Sequence, residues 1–474
     1  MYQRRPLYLQ PVDKDGNYPW MESVGDSACS EPTSSRTTAS QGPKIRQAIE
    51  PMVVDDGKPI AGCKRRKQAT DPMTIEDDKT IGSSKRNSPD RGYSGYTQCV
   101  IRDMPPVRVL SLEHVAAVLK DINIEDILTS QAQAFHAYSA NETQTPQRSA
   151  LETPYHKTLI MPSRIDTLTS TVKIVSVPKT DSKDGLPGVA IVFDNKTGEP
   201  RGLVNARLLT AVRTAAGSAL ATRVIFDTIN EKKDRKALSL VVFGSGAQAK
   251  AHIQLLTHIL PDQISRIVIC NRTLPRARDL VQELSPECSA KSIDISAFSI
   301  TTGESTASAT GSGSPQAKLK EIVQSAHIIC TCTNTTEPLF SGEWVQPGTH
   351  FNMVGSYTPL MHEVDQDLIA RAWTLVDAKK ECEHEAGEFI LAKKLTGQNG
   401  VLAELGEIFA EDGKFKQDAL PKEFSQLEKE RGNNQDKKDV TIFKSVGIAA
   451  QDVAITALVL DKAEAMGLGS VVDI

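Results

Sequence analysis

A glycine-rich turn between an apolar strand and a helix constrains the fold of this chain more than any other feature. The run Leu240–Phe243 is continuously apolar, which is typical of a parallel strand buried on both faces. It leads into the pattern G-x-G-x-x-A, whose residues are Gly244, Ser245, Gly246, Ala247, Gln248 and Ala249. The first glycine allows a tight turn, the second lets a pyrophosphate approach the backbone, and the small last residue lets the helix pack on the strand. The pattern predicts a dinucleotide site at the helix N-terminus, although a tight strand–helix turn without a ligand has the same signature.

Further apolar runs, alternating with helical segments, predict that this strand belongs to a parallel sheet. The predicted strands are Ala237–Phe243, Arg266–Cys270, Ala326–Thr331, His350–Val354 and Trp373–Val376. Alternation of this kind is the pattern of a Rossmann-type α/β domain, which we place at residues 228–444. Two segments interrupt it. Residues 299–317, rich in Ser, Thr and Gly, are predicted to form a mobile surface loop, and residues 411–439 a charged helical excursion or linker.

The residues after the second strand of this sheet predict which dinucleotide is bound. NAD-dependent enzymes place Asp or Glu here to hydrogen-bond the ribose hydroxyls, and a carboxylate would repel a 2′-phosphate. This chain has neutral Asn271, then Arg272 and Thr273, with Arg276 nearby. Guanidinium and hydroxyl groups bind phosphate, so the sequence favours NADP(H) over NAD(H). The alternative is that these arginines are ordinary exposed loop residues.

An α+β segment precedes the parallel sheet. A strand at Val107–Leu110 is followed by a helix capped by Ser111, with His114 at the position where Glu or Gln is usual. A second helix runs from Ile124 to Tyr138, and the Ala-rich segment Ala206–Asp227 predicts a long third helix. The strands predicted between them are Arg148–Leu151, Lys157–Met161, Thr171–Val177, Val189–Asp194 and Arg201–Val204, the last two joined as a hairpin.

The two ends of the chain differ in composition. Residues 1–104 are rich in Ser, Pro, Gly and charged residues and lack a hydrophobic period, which predicts a disordered N-terminal extension. The C-terminal segment that follows Gly447 is apolar and predicts a helix ending near Ala465.

Composition and charge argue against several classes of protein. The formal net charge is −4, so no global basic field favours nucleic acid. The sequence has no run of eighteen apolar residues and no apolar secretory leader, so no membrane partner is expected. The 8 cysteines form no CxxC pair and no zinc spacing, which predicts a reducing, cytoplasmic location. The cluster of Glu381, Cys382, Glu383, His384 and Glu385 fits no zinc pattern and is predicted to be a solvated helix face rather than a metal site.

Two cations lie among apolar residues, where an idle charge is costly. Strand alternation puts Lys173 on the same face as Val175, and Arg213 lies in the middle of an apolar helical stripe that includes Ala216. A buried charge must be paired or directed at a ligand. Both residues are therefore candidates for substrate binding, the alternatives being a snorkelling side chain or a structural ion pair. Arg148, which opens an earlier strand, carries a weaker signal of the same kind.

These residues and their surrounding motifs resemble the ornithine cyclodeaminase/mu-crystallin family. The similarity runs in order, with insertions, from about residue 107 to the end of the chain. Its motifs are Arg148, Met161-Pro162, Lys173, Gly185-Leu186-Pro187, Leu209 to Ala216, Val242 to Ala249, Glu343 to His350, Val354-Gly355-Ser356, Glu363-Val364-Asp365 and Phe443 to Gly447. The resemblance implies a substrate and dimerisation domain at residues 105–227, to which the C-terminal helix of residues 445–474 returns, and hence a homodimer.

The resemblance also implies roles for individual residues. Arg148, Lys173 and Arg213 match the family's substrate-carboxylate and catalytic cations. The residues implied to border the nicotinamide are Thr331, Cys332, Thr333 and the segment Ser445–Gly447, which contains Val446.

One departure separates this chain from the cyclodeaminases of the family. They carry an acid/base Asp where this chain has Tyr357, and a Thr position of theirs falls at Gly188. Mu-crystallin-like ketimine reductases also lack the Asp. The resemblance therefore implies an NADP-dependent oxidoreductase that transfers hydride at the Cα–N bond of a small amino or imino acid, with Tyr357 in its catalytic site. The alternatives are an ornithine cyclodeaminase that forms proline and ammonia, and a non-catalytic NADPH-dependent ligand-binding protein.

Overall fold

The computed structural model describes residues 105–179, 186–229, 237–306, 313–393, 401–426 and 438–474. The prediction of disorder for residues 1–104 lies outside the described residues. So do the middle of the 299–317 insertion and part of the charged segment 411–439.

Secondary structure follows the sequence-based expectation closely. In the first part of the chain the elements are β1 (Val107–Leu110), α1 (Leu112–Asp121), α2 (Ile124–Ser139), β2 (Thr143–Gln144), β3 (Ser149–Glu152), β4 (His156–Ile165), β5 (Ser170–Pro178), β6 (Gly188–Phe193), β7 (Pro200–Asn205) and α3 (Arg207–Ile229). The next elements are β8 (Leu238–Phe243), α4 (Ala247–Ile259), β9 (Ile264–Asn271), α5 (Leu274–Ala290), β10 (Asp294–Ser299), α6 (Pro315–Gln324), β11 (Ile328–Thr331), β12 (His350–Met353), α7 (Gln366–Ala370) and β13 (Ala372–Val376). The last are α8 (Lys379–Glu385), α9 (Gly387–Leu391), β14 (Ala403–Glu404), β15 (Val440–Lys444), α10 (Ala449–Ala465) and β16 (Ser470–Val472).

The predicted start of α1 is confirmed in detail. The backbone N–H of His114 donates to Oγ of Ser111 at 3.2 Å, and the backbone N–H of Ser111 donates to Nδ1 of His114 at 3.3 Å. Histidine thus completes a reciprocal capping box in the place of Glu or Gln.

The first sheet is mixed and has the order β16-β1-β7-β6-β5-β4-β2, with β3 paired to β4. Its register aligns Met161, Lys173, Ala190 and Val204 across β4 to β7, and all four are buried. Helix α10 packs against these four strands and also against α2 and α3. Lys173 therefore lies on the face of the sheet that α10 covers.

The second sheet has eight parallel strands in the order β10-β9-β8-β11-β12-β15-β13-β14. Beginning at β8, the chain first builds outward through β9 and β10, then returns to the other side of β8 with β11. The order therefore reverses between β8 and β11, and in open α/β sheets ligands bind in the crevice at such a switch point. The prediction of a Rossmann-type parallel sheet is confirmed.

Three strands of this sheet were not predicted, β10, β14 and β15. β10 lies at the border of the Ser/Thr-rich insertion, where polar residues hide the strand period. β15 belongs to the Phe443 to Gly447 motif, and it inserts between β12 and β13, which precede it in the chain. Such a long-range pairing leaves no local signature.

Helix α3 connects the two sheets. Its residues Ala215 and Leu220 share one hydrophobic core with Leu240 of the second sheet and with Val204 of the first. None of the helices in the described ranges is both long and apolar enough to cross a membrane.

Candidate active site

The glycine-rich turn lies at the switch point of the parallel sheet. Gly244 has φ +108°, and a Cβ atom there would lie 2.8 Å from the carbonyl oxygen of Cys332, which follows β11. Only glycine fits this close approach. Gly246 caps α4 without a side-chain hydrogen bond, and a Cβ atom there would meet no atom within 4 Å. The N-terminal N–H groups of α4 therefore face open space of the kind that a pyrophosphate needs.

The predicted specificity residues lie beside this turn. β8 and β9 are in register at Phe243 and Cys270, so Asn271, the last residue of β9, lies at the level of Gly244. The side-chain amide of Asn271 donates to the carbonyl of Thr273 at 2.9 Å. Arg272, Thr273 and Arg276 are exposed. The structure thus brings the neutral amide, the hydroxyl and the two guanidinium groups to the carboxyl end of β9.

Two of the predicted cations share one buried carboxylate. Lys173 Nζ lies 2.6 Å from Oδ2 of Asp452, and Arg213 Nε donates to Oδ1 of the same residue at 3.2 Å. Burial lowers the pKa of Lys173 to about 8, because the negative charge of Asp452 only partly offsets the loss of water. Lys173 is 1% exposed, Arg213 5% and Asp452 1%, so the three groups form a buried charge cluster.

Gln451 holds the guanidinium of Arg213 from a second side. Arg213 NH1 donates to Oε1 of Gln451 at 3.0 Å, and Nε2 of Gln451 donates back to the carbonyl of Arg213 at 2.9 Å. Sequence analysis assigned no role to Gln451 or Asp452. Their signal was available, because they are adjacent polar residues in the first turn of the otherwise apolar helix α10.

The third cation, Arg148, lies against the segment Ser445–Gly447. Its NH2 donates to the carbonyls of Val446 at 3.3 Å and Gly447 at 3.0 Å. Gly447 has φ +82°, and a Cβ atom there would lie 2.4 Å from NH1 of Arg213. This short segment therefore packs between two arginines, and it separates and orients them.

A buried carboxylate fixes the same segment from behind. Asp377, at the end of β13, accepts hydrogen bonds on Oδ2 from the Ser445 hydroxyl at 2.7 Å and the Gly447 N–H at 2.6 Å. Its Oδ1 accepts from the N–H of Ala378 at 2.9 Å. Burial raises the pKa of Asp377, and these hydrogen bonds act in the opposite direction.

A second buried carboxylate, Glu363, joins the ends of β11 and β12. It accepts from the Thr331 hydroxyl at 2.8 Å, from the Thr333 N–H and hydroxyl at 2.7 Å each, and from the Gly355 N–H at 2.9 Å. Burial raises its pKa. Glu363 therefore holds Thr331 and Thr333, which were implied to border a nicotinamide, against the loop that contains Tyr357.

Tyr357 follows β12 and is partly buried. Burial raises the pKa of its phenol, and the positive charge of Arg148 acts in the opposite direction. The preceding residue, Ser356, is held through its carbonyl by Nζ of Lys444 at 2.6 Å. Lys444 in turn pairs with Glu388 at 2.9 Å, and both are buried.

The model of the ornithine cyclodeaminase/mu-crystallin family matches residues 108–467 of the chain.

The chain belongs to the ornithine cyclodeaminase/mu-crystallin family.

Several proteins of similar sequence are named as reductases. The chain is 28% identical over 364 residues to Δ1-pyrroline-2-carboxylate reductase of Bacillus cereus, covering 74% of this chain and 96% of the relative. It is 27% identical over 294 residues to ketimine reductase mu-crystallin of Rattus norvegicus, covering 61% of this chain and 75% of the relative. The fold resembles that of Thermococcus litoralis Δ1-pyrroline-2-carboxylate reductase solved with NADH and L-proline, with a TM-score of 0.60 and 23% identity over 77% of this chain and 99% of the other.

The family motifs converge on one place in this member. Arg148 directly precedes β3, Lys173 lies in β5 and Arg213 in α3, and the Val446-Gly447 segment that follows β15 contacts both arginines. Tyr357 follows β12. The fold thus brings the three cations and the Val446-Gly447 segment, which are far apart in the sequence, into one set of contacts.

One sequence-based interpretation is wrong in part. Glu383 and His384 are exposed, as expected of a solvated helix face. Glu385 is not solvated, because its Oε2 lies 2.6 Å from NH2 of Arg148, and Glu381 accepts a hydrogen bond from the Tyr138 hydroxyl. Helix α8 turns these two residues toward the core. Its seven residues are too few to reveal a buried face as a helical period in the sequence. Within the ranges that the structure describes, no group of three or more His, Cys, Asp or Glu could hold a metal ion.

Proposed function

We propose that this protein is an NADP-dependent oxidoreductase that reduces the C=N bond of a small imino acid. The observation that carries the proposal is that Lys173 and Arg213 share the buried carboxylate of Asp452, while Arg148 and Arg213 both contact the Val446-Gly447 segment. Its support includes the names of two relatives, Δ1-pyrroline-2-carboxylate reductase and ketimine reductase mu-crystallin.

Arg148 and Arg213 are the groups that bind the substrate carboxylate. Guanidinium groups bind carboxylates by charge-assisted hydrogen bonds, and the segment Ser445–Gly447 keeps these two at a fixed separation. A substrate anchored in this way has its reacting carbon held at a fixed position, which removes much of the entropic barrier to reaction.

Lys173 is the group that supplies the proton. Its pKa of about 8 keeps the ammonium largely protonated at neutral pH, yet lets it give up the proton more readily than an ordinary lysine. Asp452 holds the ammonium in place at 2.6 Å. When bound, NADPH supplies the hydride to the imine carbon, and Lys173 delivers one proton to the nitrogen, so that C=N becomes CH–NH.

The chain fits a dinucleotide on three counts. Gly244 allows the tight turn, Gly246 leaves open space before the N-terminus of α4, and no carboxylate stands at Asn271. We propose NADP(H) rather than NAD(H), because Arg272 and Thr273 offer phosphate-binding groups where a carboxylate would repel a 2′-phosphate.

Tyr357 favours simple imine reduction over cyclodeamination. A cyclodeaminase must move protons on and off nitrogen several times, which calls for a group that is ionised at neutral pH. Burial raises the pKa of Tyr357 above that of an ordinary phenol, so it acts as a neutral hydrogen-bond donor. We expect little or no conversion of ornithine to proline.

The proposal also includes a homodimer formed through the first sheet. The face opposite α10 carries Ile160, Ile174 and Val189 in register, and Val172, Ile191 and Leu203 beside them, all only partly buried in the single chain. A contiguous apolar face of this kind usually marks an interface, and a second copy of the chain would cover it. Light scattering should give twice the mass of one chain.

The decisive experiment measures NADPH oxidation by the full chain with cyclic ketimine carboxylates as substrates. A parallel assay measures the products formed from ornithine with NAD. Oxidation of NADPH with a ketimine supports the proposal. Proline and ammonia from ornithine would contradict the choice of reaction. Tight NADPH binding without oxidation by any imine would instead indicate a ligand-binding protein.

A further inference from the structure

One ion pair in the site is not explained by substrate anchoring. Oε2 of Glu385 lies 2.6 Å from NH2 of Arg148, and the two side chains are 14% and 17% exposed. Arg148, proposed to bind the carboxylate of a substrate, thus already holds a carboxylate of the protein. Glu385 ends α8, and its main chain is fixed by the buried residues on either side, Cys382 and Ala386.

The direct ion pairs of the site determine its charge. Three cations, Lys173, Arg213 and Arg148, contact two carboxylates, because Lys173 and Arg213 share Asp452 while Arg148 holds Glu385. Counted over these ion pairs alone, three positive and two negative charges leave at most one positive charge. A single substrate carboxylate neutralises it.

The surroundings on the Glu385 side add negative rather than positive potential. Asp377 accepts from the N–H of Gly447, whose carbonyl accepts from Arg148, the partner of Glu385. Burial raises the pKa of Glu385, and the negative charge of Asp377 raises it further. The buried cation behind this side, Lys444, is engaged by Glu388 at 2.9 Å. A second carboxylate on a substrate would therefore face the negative charges of Glu385 and Asp377, while the cations on this side are already paired with carboxylates of the protein. Burial strengthens the resulting repulsion.

We propose that Glu385 is a specificity-determining residue that restricts the site to imino acids with a single carboxylate. This rests on the proposed function in that Arg148 binds the substrate carboxylate. Substrates with an uncharged ring or chain fit the charge balance, whereas dicarboxylic imines are excluded by Glu385. The role is distinct from that of Arg148, because Glu385 selects among substrates and does not anchor them.

The test compares two ligands that have the same shape and differ by one charge. Pyrrole-2,5-dicarboxylate and its 5-carboxamide both carry the anchoring carboxylate, and the amide replaces only the second anion by a neutral group. Binding of each is measured with NADPH present, for the full wild-type chain and for Glu385→Gln. Glu383→Gln serves as the matched control, since Glu383 lies in the same helix and is exposed.

Wild type should bind the carboxamide at least about tenfold more tightly than the dicarboxylate, since placing like charges together is costly in a buried site. Glu385→Gln keeps the size of the side chain and should reduce this ratio about tenfold, mainly by tighter dicarboxylate binding. Glu383→Gln should leave the ratio as in wild type. A wild-type ratio near one, or a ratio that Glu385→Gln leaves unchanged, would overturn the proposal.

Turnover separates this proposal from the proposed function. Imines formed from ammonia with pyruvate and with oxaloacetate carry one and two carboxylates, and the ratio of their kcat/KM values should shift in Glu385→Gln as the binding ratio does. If no imine is reduced but the binding ratio shifts, the proposed reductase activity fails and the role of Glu385 stands. If imines are reduced and neither ratio shifts, the role of Glu385 fails and the reductase activity stands.

Discussion

Nζ of Lys173 lies 2.6 Å from Oδ2 of Asp452, and the same carboxylate receives Nε of Arg213 through its other oxygen. One buried anion is therefore shared by two buried cations. The three groups together keep one positive charge, which is available to a substrate carboxylate. Because Asp452 lies in the first turns of α10, the C-terminal helix is part of the site as well as part of the core.

The pH dependence of turnover should report the titration of Lys173. Its pKa is lowered to about 8 by burial, so the protonated form needed as proton donor is lost as the pH rises through that value. We expect kcat/KM to fall about tenfold per pH unit above the pKa. In Asp452→Asn the fall should begin at lower pH, because the carboxylate raises the pKa of Lys173. Lys173→Arg keeps the positive charge but holds its proton too tightly to donate it, so turnover should fall by orders of magnitude. An alkaline fall at the same pH in wild type and Asp452→Asn would contradict the role of Lys173.

Removal of the shared anion should cost more stability than removal of one cation. Asp452→Asn leaves two buried cations without a countercharge and should lower the free energy of unfolding by about 3–5 kcal/mol. Lys173→Met leaves Arg213 and Asp452 as a neutral pair and should be close to wild type in stability, while turnover falls by orders of magnitude. Urea denaturation measures both. Equal destabilisation by the two variants would contradict this account of the charge cluster.

Gly447→Ala should disturb the site beyond its effect on the backbone. A Cβ atom would lie 2.4 Å from NH1 of Arg213, so the guanidinium must move, and KM for the imino acid should rise about tenfold or more. The strain of a positive φ costs about 1–3 kcal/mol by itself. Gly467→Ala is the matched control, since Gly467 has φ +65° and a Cβ atom there meets nothing within 4 Å. A similar rise in KM in both variants would show that strain alone is responsible.

Arg272→Ala should separate the two nicotinamide cofactors. Loss of one charge-assisted contact to the 2′-phosphate costs roughly 1.5–3 kcal/mol, which weakens NADPH binding about ten- to a hundredfold. Binding of NADH, which lacks this phosphate, should hardly change. Arg278→Ala, an exposed arginine farther along α5, controls for a general change in charge. An equal loss for both cofactors in Arg272→Ala would contradict the assignment of NADP(H).

Local patterns in the sequence were sufficient to predict much of the fold. The turn at Gly244 to Ala249 follows from backbone conformation and close packing, which only small residues satisfy, and its position between strand and helix was correct. The buried positions of Lys173 and Arg213 also followed from periodicity, because alternation in a strand and the 3.6-residue repeat of a helix decide which face a side chain occupies. The strand β15 had no such signature and was missed.

The partners of these cations were decided by the tertiary structure. Asp452 is 279 residues from Lys173 in the numbering of the chain, and Glu385 is 237 residues from Arg148. No local rule relates residues so far apart, because their meeting depends on how α10 and α8 pack against the two sheets. The sequence by itself determined that charges would be buried, since that depends on each residue's neighbours in its own strand or helix. Only the packing of those elements decided which carboxylate neutralises which cation, and therefore how much positive charge remains for a substrate.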